Sequence, residues 1–189
     1  MVKKSFFLLV FVLLFSGMAS AFEFSADTIT THNGGVSTTG KIYYSTDRFR
    51  MDMKAPNEMI MITRMDKKVV WNIMPKEKMY MELPFDLKNK PKVGEKLEGE
   101  IERKHVGNET IDGHPTKKYL ITYKYDNQKE QMYQWLAMDI NFPVKSSAID
   151  GSWGQEFKNI KMGSQPKSLF ELPSGYKKIQ MPGGMKPKK

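Results

Sequence analysis

RFRMDMKAPNEMIMITRMDKKVVWNIMPKEKMYMEL, residues Arg48 to Leu83, holds four apolar-rich runs of strand length at 48–53, 59–65, 69–74 and 79–83. Turn residues separate them: Ala55-Pro56-Asn57, Asp66-Lys67-Lys68 and the segment opened by Pro75, with Pro84 closing the set. Short runs with this spacing predict an antiparallel meander. Three methionine pairs, Met51/Met53, Met59/Met61 and Met79/Met81, are spaced by two residues, so the members of each pair share one side of a strand. Eight of the 15 methionines fall between 51 and 81. One face of neighbouring strands is therefore predicted to be lined with thioethers.

The pattern extends outward on both sides. Phe22, Phe24, Ala26 and Thr28 alternate with polar residues, Asn33-Gly34-Gly35 supplies a reversal, and Val36 to Tyr44 forms the next strand. Residues 84–97, with two prolines and four lysines, read as an irregular connection. Beyond it, strands are predicted at Glu98 to Val106, Thr116 to Tyr125, Gln131 to Met138, Pro143 to Ile149 and Trp153 to Met162. The turns between them are signalled by Gly107-Asn108 and Asp112-Gly113-His114-Pro115. Lys167 to Leu172 reads as a helical turn, Gly175 to Met181 as a last edge strand, and 182–189 as a disordered basic tail. No run of ten residues has strong helical periodicity. The fold class is mainly β (α+β), a strongly curved antiparallel sheet of about ten to eleven strands. With few helices to cover its apolar face, it must curl into a barrel or half-barrel or pack as a sandwich.

Lys3 and Lys4, the apolar run Phe6 to Phe15 and Ala19-Ser20-Ala21 follow the order of a cleavable secretory signal at residues 1–21. The expected mature chain is one domain, 22–181, exported to a bacterial periplasm. No cysteine is present, so there is no lipid-anchor cysteine, no disulfide and no thiolate chemistry. Without Lys3 and Lys4 the formal charge falls from +9 to +7. A basic surface suits an anionic membrane surface, whereas the export signal argues against nucleic acid.

The sequence contains no G-x-S-x-G, no H-E-x-x-H and no phosphate-cradling glycine loop, and His105 and His114 stand beside no obvious nucleophile. The reading is a non-enzyme without cofactor or resident metal. Methionine is a competent core filler, so a filled structural or interaction domain of the envelope is one alternative. Flexible Met surfaces also recur where apolar partners of variable shape bind, and thioethers can hold Cu(I) if three or four converge.

Several segments resemble exported proteins of the LolA/LolB-like superfamily. They are Arg48 to Met53, Ile60 to Arg64, Val70-Trp71-Asn72-Ile73-Met74-Pro75 with Met79-Tyr80, Val106-Gly107 to Asp112-Gly113, Tyr119, Gln134-Trp135 to Asp139, Pro143-Val144-Lys145, and Leu169-Phe170-Glu171-Leu172-Pro173-Ser174-Gly175-Tyr176. The last of these is most similar to a branch known only as a domain of unknown function. The resemblance implies a half-barrel with short helices over its open side, around an apolar cavity that in the carriers accepts lipoprotein acyl chains. The carriers' long N-terminal and lid helices have no counterpart in residues 22–33 or 84–97. The functional expectation is a periplasmic binding or carrier protein for a lipid or lipoprotein acyl chain. Its expected cavity lining is Phe49, Met51, Met53, Ile60, Ile62, Trp71, Ile73, Met79, Met81, Tyr119, Ile121 and Trp135.

Overall fold

The computed structural model describes residues 22–33, 35–54, 57–86, 97, 99–125 and 128–180. The predicted signal (1–21), Gly34, Ala55-Pro56, most of the 84–97 connection and the 182–189 tail lie outside the described residues. Twelve strands are present among the described residues: β1 Phe24–His32, β2 Gly35–Ser45, β3 Arg48–Met53, β4 Met59–Arg64, β5 Val69–Met74, β6 Met79–Pro84, β7 Glu100–Ile111, β8 His114–Tyr125, β9 Gln128–Ala137, β10 Phe142–Ala148, β11 Trp153–Met162 and β12 Lys177–Ile179. All belong to one sheet, ordered β12-β6-β5-β4-β3-β2-β1-β11-β10-β9-β8-β7. Its ends, β12 and β7, do not pair with each other, so the sheet is unclosed. The only described helix is a 3-10 turn, Lys167–Phe170.

Most hairpins follow from local chemistry. The β7–β8 turn needs two successive residues at positive φ, and Asp112 (φ 50°) and Gly113 (φ 84°) supply them at low steric cost. One expectation is corrected here. Gly107-Asn108 does not end a strand, because β7 runs through it with register shifts between Glu100 and Glu102 and between His105 and Gly107. An irregularity that reads as a turn in sequence is absorbed as a bulge when a long partner strand is available on one side.

The sheet is curled. Asp112 at the β7–β8 tip accepts a hydrogen bond from the Asn159 N–H of β11 (2.5 Å), although β9 and β10 lie between in strand order. The β6 edge is capped by β12, the one parallel strand, through Lys177 to Ile179 alongside Met79 to Met81.

Apolar burial divides into two clusters. The larger joins β1, β2, β9 and β10 through Phe24, Ala26, Ile42, Tyr44, Trp135, Ala137, Phe142 and Val144. Its rings meet in stacked and tilted geometries, Phe24 stacking on Tyr44 at 5.7 Å and tilting against Phe142 with centroids 4.7 Å apart. The smaller consists of Ile62, Trp71 and Ile73 with Phe170 from the 3-10 turn.

Candidate functional site

The register of β1 to β6 sorts every residue of the decisive stretch onto one of two faces. Cross-strand partners run Phe24–Tyr44–Phe49–Thr63–Val70–Leu83 and, one pleat along, Ala26–Ile42–Met51–Met61–Asn72–Met81. Gly40–Met53–Met59 and Met74–Met79 follow beyond. Because side chains alternate along a strand, all seven strand methionines of this region lie on the same face. Each of them is half-buried. Met51 packs against the larger cluster, while Met53, Met59, Met61, Met74, Met79 and Met81 enter neither cluster among the described residues. Gly40 opposite Met53 has no room for a side chain, since a Cβ there would stand 2.4 Å from the Asp52 carbonyl oxygen.

The other face of the same strands carries Tyr43–Arg50–Ile62–Trp71–Glu82 and Asp52–Ile60–Ile73–Tyr80. It is covered. Residues 163–176 cross it as a strap, with Phe170 (1% exposed) inserted among Ile62, Trp71 and Ile73. Arginines hold the strap by its backbone: Arg50 Nη1 donates to the Leu169 carbonyl (2.9 Å) and Arg64 Nη1 to the Phe170 carbonyl (3.2 Å). Arg64, 4% exposed, also bonds Asp66 in a fork (2.8 and 2.6 Å) and pairs with Glu171, which Lys67 reaches at 3.1 Å. The hydrogen bond from Arg64 holds the Asp66 carboxyl below its ordinary pKa. Burial alone would raise Glu171, but the bonds from Lys67 and Arg64 bring it below its usual value. Farther along, Glu82 accepts from Trp71 Nε1 (3.0 Å) and from Lys178 of β12 (2.8 Å), and these bonds lower its pKa. At the start of the strap, the Glu23 carboxylate receives Ser45 Oγ (2.7 Å) and the Gln165 N–H (2.9 Å).

The twelve expected lining residues do not share one surface. Phe49, Met51, Met53, Met79 and Met81 are on the methionine face. Ile60, Ile62, Trp71 and Ile73 are on the opposite face, in or against the Phe170 cluster. Tyr119 and Ile121 pair with Gln134 and Met132, which puts them on the side of β8–β9 opposite Trp135. Trp135 belongs to the larger cluster, alongside Met51. Alternation along single strands had grouped residues correctly in twos but could not join the twos into one wall.

With the two faces laid out, comparison with known proteins places the chain. A family model described as a domain of unknown function, DUF4412, matches residues 26–141. The chain belongs to the DUF4412 family. That match ends before the strap, which is therefore built by residues beyond the family segment. No curated protein matches the DUF4412 chain. Among solved structures it is similar to MucB, in the Pseudomonas aeruginosa MucA/MucB complex (15% identity, 80% of this chain, 56% of that chain, TM-score 0.55) and in MucB bound to MucA(peri) (13%, 81%, 55%, 0.53). It thus spans about half the length of the MucB chains, and at this identity the likeness concerns the fold. A LolA superfamily protein from Nitrosomonas europaea also aligns, at 10% identity over 80% of this chain and 90% of that chain, with a TM-score of 0.34.

Three open clefts of about 450–460 Å³ lie elsewhere on the DUF4412 chain: beside Asn108 to Thr110 and Met138, beside Tyr123 and Ile149 to Trp153, and beside Glu23, Ser45 to Arg48 and Gln165. None of these three is lined by any of the twelve residues. No group of His, Cys, Asp or Glu among the described residues could hold a metal ion, and no described helix is long and apolar enough to cross a membrane. Sequence reasoning missed the arginine pair Arg50 and Arg64. Arg50 lies between Phe49 and Met51 in β3 and Arg64 ends the apolar strand β4, and a buried charge needs partners, so a search for distant acceptors was the available signal.

Proposed function

We propose that this DUF4412 chain is a non-enzymatic, exported binding or carrier protein that holds a lipid-like ligand against its methionine face. The observation that carries the reading is the contrast in cover: the same four strands bear a sealed face and a face of seven half-buried thioethers next to an aromatic cluster. Unbranched, polarizable side chains adapt to an acyl chain of variable shape better than Leu, Ile or Val. An acyl chain covering about 300 Å² of such a face gains about 7 kcal/mol at ~25 cal/mol per Å². Association costs at least ~4 kcal/mol of this. The expected hold is weak and reversible, which suits delivery rather than storage.

The test is native mass spectrometry and solvent extraction of the protein purified from a bacterial periplasm. Co-purifying lipid, lost on replacing Met51, Met61 and Met81 together by Gln, supports the reading. A protein that emerges empty and takes up no added dodecanol or dodecanoate overturns it. The register also brings Met51, Met61, Met53 and Met59 into one block of four thioethers, which keeps a Cu(I)-binding reading in view. Titration with Cu(I) against a chelator separates the two, because metal binding without lipid uptake favours the second. The solved MucB structures contain a protein, MucA, and co-purification of a peptide in place of lipid would assign the face to a protein partner.

A further inference from the structure

Lys118, Trp135 and Lys145 stand in register on β8, β9 and β10, each lysine the direct cross-strand partner of the tryptophan. Both ammonium groups lean over the indole: Lys118 Nζ is 4.7 Å and Lys145 Nζ 5.0 Å from its centroid, and Lys118 is also 4.3 Å from the Tyr133 ring. Two cations sharing one ring repel each other unless an anion lies between them. Nearby carboxylates do not fill that role. Glu156 sits across from Lys145 on β11 but pairs with Lys158 (3.4 Å), and Lys118 reaches Glu109 only at 3.9 Å. Lys145 has no carboxylate partner among the described residues. Trp135 itself is 5% exposed, and its Nε1–H is buried without a hydrogen-bond partner among the described residues. A buried donor left unpaired is unfavourable, and the chemistry that satisfies an indole N–H between two ammonium groups is an anionic oxygen.

We infer that the Lys118–Trp135–Lys145 row binds the carboxylate or phosphate head of an amphiphile, whose apolar portion lies on the aromatic cluster that Trp135 shares with Phe24, Ile42 and Met51. This deepens the proposed function and rests on it, by naming the ligand class as an anionic rather than a neutral lipid. The rival account is that the lysine stems simply cover aromatic surface while their heads stay in water. That account gives no preference for charge.

Isothermal titration of the mature chain with dodecanoate, dodecyl phosphate, dodecanol and inorganic phosphate discriminates. Dodecanoate and dodecyl phosphate should each bind at least about tenfold more tightly than dodecanol, a difference of about 1.4 kcal/mol. In the Lys118→Gln/Lys145→Gln double variant the preference should fall below about threefold, with dodecanol affinity unchanged. Trp135→Phe keeps the ring and removes the donor, and should lower the preference by an intermediate factor; a thermal melt checks that it folds. Equal affinity for dodecanoate and dodecanol overturns this site while leaving the carrier reading intact. So does a double variant that keeps the full preference. If neither dodecanoate nor dodecanol binds, the carrier reading fails and the site with it. Inorganic phosphate binding as tightly as dodecyl phosphate overturns the amphiphile in favour of a free anion.

Discussion

Strands β3 to β6, each of six residues, have two faces, and the two are finished in opposite ways. On one, Phe170 fills the space over Ile62, Trp71 and Ile73, and three basic side chains, Arg50, Arg64 and Lys67, fasten the covering strap. On the other, half-buried thioethers stand side by side, and all but Met51 enter neither apolar cluster among the described residues. The lesson is that apolar residues alone do not locate a binding surface, since the face that mixes Ile62, Trp71 and Ile73 with Arg50, Asp52 and Glu82 is the one taken up by the protein's own core. What distinguishes the two is whether an inserted ring and a set of backbone acceptors arrive to complete them.

Breaking the sealed face should have the largest effect. Phe170→Ala removes a fully buried ring and should cost about 3–5 kcal/mol, read as a lower denaturant midpoint. Arg64→Ala should cost somewhat less, about 2–3 kcal/mol, because it strands partly exposed carboxylates as well as the Phe170 carbonyl. A smaller effect is expected from acid. Asp66 and Glu171 titrate below their ordinary values in the folded chain. Their contribution is therefore complete above the unfolded carboxylate pKa of about 4 and is lost as pH falls through the depressed folded values. Amide exchange in residues 167–179 should accelerate in that range before exchange in β1 and β2 does, and uniform acceleration would count against a separately fastened strap.

The open face should respond least in stability and most in chemistry. Met61→Gln is expected to change stability by less than about 1 kcal/mol, checked by the same denaturant titration, and a cost as large as that of Phe170→Ala would mean the face is filled. Mild peroxide sharpens the contrast further. Half-buried Met53, Met59, Met61 and Met81 should convert to sulfoxide faster than Met65 and Met132, each 5% exposed. Peptide mass mapping reads the order, and bound dodecanoate should slow only the first group.

How much of this was legible in advance follows from the range of the forces. Period two put Met51 with Met53 and Met59 with Met61, and the turn residues placed β3, β5 and β11 within the limits observed. Strand pairing decides the rest. Met51 and Ile62 were both expected in one lining, yet Met51 pairs with Met61, the neighbour of Ile62 that faces the opposite way, and only the cross-strand register exposes that conflict. The Leu169 to Tyr176 motif was recognised, but not its seat, because Arg64 and Phe170 are 106 residues apart and nothing local ties them. Likewise the last strand was expected at an edge and lies at one, but its parallel run beside β6 depends on the strap having first crossed the sheet.

That crossing has a consequence for biosynthesis. A chain is made from its N-terminus, and Phe170 with β12 emerges after every residue they cover. Until then Trp71 stays unroofed and β6 offers a naked edge to any neighbouring strand. Shortening the chain ahead of Phe170 would fix the molecule in that nascent, adhesive condition, so the strap and β12 act as the gatekeeper that ends its vulnerability to misassembly.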